Sequence, residues 1–182
     1  SIDMALYQNA GANRVQQLAY ALAHANEYLN VFAIRQPADK QPVALTFKVS
    51  IDTNYFFEIA KLRALRLLYA TLAKEYGISE TCHITAIPTK RNKTLYDYNT
   101  NMLRTTTECM AAVLGGADVV SNLPYDAIYH KDNEFGERIA RNQLLVLKKE
   151  SYLDAVQNPA EGAYYIESLT QQLAEKALEI FK

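Results

Sequence analysis

The sequence predicts an α/β fold built on a parallel sheet. Three observations lead there. Short β-rich stretches, Val43–Ile51 (VALTFKVSI), Cys82–Ile87 (CHITAI) and Ala117–Ser121 (ADVVS), alternate with much longer helical patterns. Glycines and Asn or Asp residues punctuate the boundaries. Strands that alternate with helices imply right-handed βαβ units.

Each element follows from its own residues. Ile2–Leu6 reads as a strand stub ended by the Asn9-Ala10-Gly11 turn. Val15, Leu18, Ala19 and Leu22 then recur at helical spacing. Ile34–Pro42 is the one loop with several turn-formers before a strand. After the strand Val43–Ile51, Thr53-Asn54 is placed to cap a long helix, NYFFEIAKLRALRLLYATLAKEYG. Ile59, Leu62, Leu65 or Arg66, and Tyr69 follow its turns, Lys61 and Arg63 fall on a solvated side with Arg66, and Gly77 stops it. Pro88 ends the second strand, and a helix over Asn99–Leu114 stops at Gly115-Gly116. Asp132-Asn133 caps a helix reaching Lys149. Ile166, Leu169, Leu173, Ala177 and Ile180 form one stripe on a last helix. Four strands, each followed by a helix, fit half of an eight-stranded (β/α)8 barrel better than an open five-stranded sheet.

Composition excludes several classes of function. A formal net charge of −1 gives no basic footprint for nucleic acid. No apolar run approaches the roughly 18 residues of a membrane span, and Ser1-Ile2-Asp3 opens no secretory signal pattern. The absence of an initiator Met is expected of a processed chain or a piece of a longer one. Cys82 and Cys109 lack metal or redox spacing and read as buried thiols of a reducing, cytoplasmic compartment. His24, His83 and His130 share no ligand spacing, so no metal site is expected. Gly115-Gly116 follows a helix rather than a strand and is no phosphate loop. From the residues alone no catalytic cluster emerges.

Four stretches go further. FFEIAKLRALRLLYA, RTTTECMAAVLGGAD, FGERIARNQLLVL and NPAEGAYYIESLTQQLAEKAL closely resemble the methylmalonyl-CoA mutase family, and LYQNAGANRVQQLAYALAHANEYL is similar to its preceding barrel segment. The resemblance spans nearly the whole chain. It implies that residues 1–182 are a single fragment, the second half (βα units 5–8) of the (β/α)8 barrel of a longer mutase subunit. It implies isomerisation of methylmalonyl-CoA and succinyl-CoA through an adenosylcobalamin-initiated radical.

The resemblance also says which positions should carry that chemistry. Registering on Ala10-Gly11 puts Ala5 and Leu6 where catalytic chains carry Tyr and His. Ala44 stands at the position of an Arg that binds coenzyme A, and Thr85 and Ile87 stand at those of a His-x-Gln near the corrin. Leu123 and Ala127 fall where an Asn and a Glu follow the Gly-Gly, while Asp97, Asn101, Arg104 and Asp126 match. Apolar or small side chains thus replace polar groups at four strand ends, where this fold places its chemistry. Some members of the family are heterodimers of a catalytic large subunit and a similar small subunit without cobalamin. The implied reading is a non-catalytic structural small subunit, itself binding no cofactor, with the large subunit and its adenosylcobalamin as partner. The alternatives are a divergent acyl-CoA mutase with another substrate, and a free-standing binding domain on the same scaffold.

Two expectations about shape follow. Leu6, Ala44 and Ile87 should meet in one apolar concavity at the strand C-termini. A half-barrel with open edges and a bare apolar inner face should self-associate, most simply as a dimer.

Overall fold

A computed structural model describes residues 1–35, 45–131 and 133–182. Ala44, Val43, most of the Ile34–Pro42 loop and Asp132 lie outside the described residues. The elements are β1 (Ile2–Asp3), α1 (Met4–Asn9), α2 (Arg14–Arg35), β2 (Thr46–Ile51), α3 (Tyr55–Glu75), β3 (His83–Pro88), α4 (Thr100–Leu114), β4 (Val119–Val120), α5 (Glu134–Lys149) and α6 (Tyr164–Phe181).

The four strands pair in parallel in sequence order, β1-β2-β3-β4. Sequential parallel strands joined by helices are the arrangement of half a (β/α)8 barrel. The register is set by which side chains must leave water. Phe47, Val49, Ile51, Ile84 and Ala86 are buried in a continuous core with the helices. The alternate residues of β2 and β3 therefore face the other way, the side a closed barrel turns inward. Asp3, Lys48, Thr85 and Val119 share one row there, with Thr46 and His83 on one side and Ser50 and Ile87 on the other. This corrects the expected apolar inner face. The bulky set of β2 serves the helical layer, and the open side is largely polar. Both edge strands are two residues long, a length that blunts edge pairing.

The helix boundaries obey local chemistry. At the start of α2, the backbone of Gln16 donates to Asn13 Oδ1 and that of Asn13 to Gln16 Oε1, both at 2.9 Å. Asn133 Oδ1 accepts the Gly136 amide at 2.7 Å and caps α5. Asn54 precedes α3 without a side-chain cap. Gly77 ends α3 in the left-handed region at φ +63°. Gly115 is needed for proximity: a Cβ there would stand 2.9 Å from Leu62 Cδ1 and 3.2 Å from Ile59 Cα, so α3 and α4 touch backbone to backbone. α6 lays Ile166, Leu169, Leu173 and Ala177 over both α2 and α3, whereas Ile180 is left half-exposed by the helix end.

Candidate functional site at the strand C-termini

The segment expected to continue β1 turns into a helix instead. Asp3 Oδ1 accepts the Ala5 amide at 3.0 Å, which caps α1 directly after a two-residue strand. Met4 and Ala5 are buried, and Leu6 is turned to solvent with 68% of its surface exposed. The far end of α1 is tied beyond β3. Thr89 Oγ1 donates to Gln8 Oε1 at 2.6 Å, and Arg91 Nη1 donates to the Gln8 carbonyl at 3.1 Å. α1 also packs on β2. It thus runs from the end of β1 to the loop after β3, across the C-terminal end of β2.

In front of this helix lies an open concavity of about 620 Å³. It brings Ala5, Leu6 and Ile87 together, as the sequence suggests for the last two. It is not purely apolar: Lys48, Lys90, Arg91, Asp3 and Asn9 also line it. Thr85 sits half-buried on the same sheet face, beside Lys48 in register. Leu123 and Ala127 are half-buried in the loop after β4, outside this concavity. Asp126 is buried at the mouth of α5, accepting from Asn133 Nδ2 at 2.5 Å. Asn101 is fully buried and pins the loop after β3, accepting the Thr94 amide at 3.0 Å and donating to the Tyr125 carbonyl at 3.0 Å.

Beneath the strand ends runs a charged network that sequence reasoning missed. Lys61 is 1% exposed rather than solvated. Its Nζ stands 2.5 Å from Glu58 Oε2 and donates to the Ser50 carbonyl at 2.6 Å. Arg14 Nε donates to Glu58 Oε1 at 2.6 Å. Burial pulls the Lys61 pKa down, and the Glu58 carboxylate opposes it. A second buried pair, Lys93–Glu108 at 2.7 Å, joins the first through Asn92, which donates to Asp52 at 3.2 Å and to Glu108. Burial lowers the Lys93 pKa and raises that of Glu108. Arg63 and Arg66 are also committed: Arg63 to Glu167 at 2.5 Å, Arg66 to Asp118 at 2.8 Å and the Cys82 carbonyl at 2.9 Å. The available signal was Glu58 three residues before Lys61, a helical ion-pair spacing. Lys61–Glu58 and Lys93–Glu108 are buried on both sides of each pair, whereas Arg63–Glu167 and Arg66–Asp118 lie nearer the surface; with the bonds just described, all four hold neighbouring elements together.

No cluster of three metal-ligating side chains occurs among the described residues. His24 accepts or donates a 2.7 Å bond with Tyr7 Oη, His83 is exposed on the sheet, and His130 stands 3.4 Å from Asp126. Among the described residues no helix is long and apolar enough to cross a membrane.

The comparisons with known proteins agree with this scaffold. The family model described as methylmalonyl-CoA mutase matches residues 1–182. The chain is 41% identical over 179 residues to the methylmalonyl-CoA mutase small subunit of Porphyromonas gingivalis, covering 95% of this chain and 29% of that protein. It is 36% identical over 187 residues to the small subunit of Propionibacterium freudenreichii, covering 100% of this chain and 29% of that protein. The large subunit of Porphyromonas gingivalis is 34% identical over 181 residues, 96% of this chain and 25% of that protein. The chain therefore spans less than a third of the length of these relatives. A family model matched end to end, on a parallel half-barrel whose helices carry the matching motifs, places this chain in the methylmalonyl-CoA mutase family.

Proposed function

We propose that this chain is part of a non-catalytic structural subunit of an adenosylcobalamin-dependent methylmalonyl-CoA mutase, working in the cytoplasm beside a catalytic large subunit. The observation that carries the reading is the strand-end chemistry. Where catalytic members hold polar groups, this chain has Ala5, Leu6, Thr85 and Ile87, and α1 crosses the end of β2. The methyl and alkyl groups of Ala5, Leu6 and Ile87 can neither donate to a substrate carbonyl nor pair with a charged group, and the Thr85 hydroxyl is a neutral group where an imidazole is expected. Adenosylcobalamin supplies the radical when bound. The matched positions Leu6, Thr85 and Ile87 offer it no imidazole or amide, which supports assigning the cofactor to the partner. The relative identities support the same side: within Porphyromonas gingivalis the small subunit is 41% identical and the large subunit 34%. Any self-association is proposed to be secondary to pairing with the large subunit, because the inner sheet face is largely polar and both edge strands are two residues long.

The test is co-expression of the full subunit with its large subunit, followed by cobalamin quantification on each separated chain. Cobalamin on the large subunit alone, with isomerase turnover only in the complex, is expected. Cobalamin retained by this chain, or turnover without the large subunit, would favour the divergent acyl-CoA mutase instead.

A further inference from the structure

The two buried charge networks beneath the strand ends meet at one residue. The first ties the start of α2 to α3 and β2: Arg14 Nε donates to Glu58 Oε1 at 2.6 Å, and Lys61 Nζ stands 2.5 Å from Glu58 Oε2 and donates to the Ser50 carbonyl. The second ties the loop after β3 to α4: Lys93 Nζ stands 2.7 Å from Glu108 Oε2 and donates to Asn92 Oδ1 at 2.8 Å. The side chains of Glu58, Lys61, Lys93 and Glu108 are each at most 2% exposed. Asp52, just past β2, faces both. Its Oδ1 accepts from Asn92 Nδ2 at 3.2 Å, and its Oδ2 lies 3.8 Å from Arg14 Nη2. The same Asn92 nitrogen donates to Glu108. Arg14 itself bonds to no residue of the 89–99 loop among the described residues.

We infer that Asp52 is a relay between the two networks, so that ion pairing at the start of α2 sets how firmly the loop after β3 is held. In the first network Arg14 and Lys61 face the single carboxylate of Glu58, and Asp52 supplies the missing negative charge. In the second, Asn92 spends its two amide protons on Asp52 and Glu108. Asp52 thus belongs to the first network by charge and to the second by hydrogen bond. Polar groups linked away from water polarise one another, so a charge removed at one end weakens the bonds at the other. The lysines respond in the same sense. Burial pulls Lys61 and Lys93 down, each is held up first by its own glutamate, and Asp52 is a further carboxylate opposing burial at both. The relay consists of paired groups packed between sheet and helices and needs no ligand, so it stands apart from the proposed subunit role.

Hydrogen exchange mass spectrometry on the full-length subunit tests the relay. The peptide read is the one over residues 89–99, where Asn101 Oδ1 holds the Thr94 amide at 3.0 Å. Arg14→Met should speed exchange there about three- to tenfold, while α6, which carries none of these groups, stays unchanged. Asp52→Ala should speed it by at least as much. The double variant should exchange no faster than Asp52→Ala alone, because Arg14 then has no route to the loop. Arg14→Lys keeps a charge beside Glu58 without the planar fork; it should give a smaller change of the same sign and serves where Arg14→Met does not fold. Unchanged exchange over residues 89–99 in both Arg14 variants, or an equal rise in α6, would overturn the coupling. Accelerations that multiply in the double variant would overturn Asp52 as its route.

Discussion

Glu58→Ala isolates the role of the buried charge network. Glu58 and Lys61 are 0% and 1% exposed, with Lys61 Nζ 2.5 Å from Glu58 Oε2. Removing the carboxylate leaves the ammonium only the Ser50 carbonyl and Gln17 Oε1, at 2.6 and 3.3 Å. Arg14 is better placed, because its side chain is a quarter exposed and Asp52 lies 3.8 Å away. The loss should thus fall on Lys61. Breaking a buried pair by removing one partner costs about 3–5 kcal/mol. For a chain of this size each kcal/mol moves the melting temperature by about 2–4 °C, so a fall of roughly 6–20 °C is expected by circular dichroism. The pH dependence adds a signature. Burial already holds Lys61 below its ordinary value of 10.5, and Glu58 supplies the largest opposing pull. Without Glu58 the folded pKa drops further while the unfolded one stays near 10.5. Between the two values the unfolded chain binds more protons, so stability rises with pH. Glu58→Ala should therefore regain stability on the alkaline side more steeply than the parent, and adding Lys61→Met should restore much of the loss at neutral pH. A single variant that melts within a degree or two of the parent, or a double variant no better than the single, would refute the reasoning.

Three further outcomes are expected. Gly136→Ala puts a Cβ 2.5 Å from Asp126 Oδ1, and should destabilise the chain by about 1–3 kcal/mol in urea titrations. Gln8→Ala removes the acceptor of Thr89 Oγ1; amide hydrogen exchange in α1 should speed up several-fold while β2 stays protected. Burial pushes the Cys82 and Cys109 thiols up to about 11 and about 12, so neither should react with iodoacetamide near neutral pH until the chain is unfolded.

The sequence made the large elements legible because their signals are local. The stripe Ile59, Leu62, Leu65 and Tyr69 is read at helical spacing and is buried as read. Gly77 announces its own turn, and it adopts the positive φ that the turn requires. The misreadings share a cause. Met4-Ala5-Leu6 is apolar enough for a strand, and only the Asp3 cap and the tether at Gln8 turn it into α1. The tether joins residues 81 apart in sequence, which no local pattern registers. Likewise Lys61 looks solvated until the Ser50 carbonyl and Gln17 close over it. At the mouth, Leu6 and Ile87 were found as a pair by family register, but Lys90 and Arg91 had no counterpart to point to them.

α6 fixes an order of events during synthesis. Its apolar stripe lies across α2 and α3, and Glu167 clasps Arg63 from a distance of 104 residues along the chain. A ribosome releases α2 and α3 long before residues 164–181 emerge. Until then the grooves meant for Leu169, Leu173 and Ala177 stand open to water, and the nascent half-barrel is a ready client for any holdase that recognises exposed aliphatic surface. Shortening the chain by that one helix should therefore yield a product that is made at normal speed yet accumulates in the insoluble fraction.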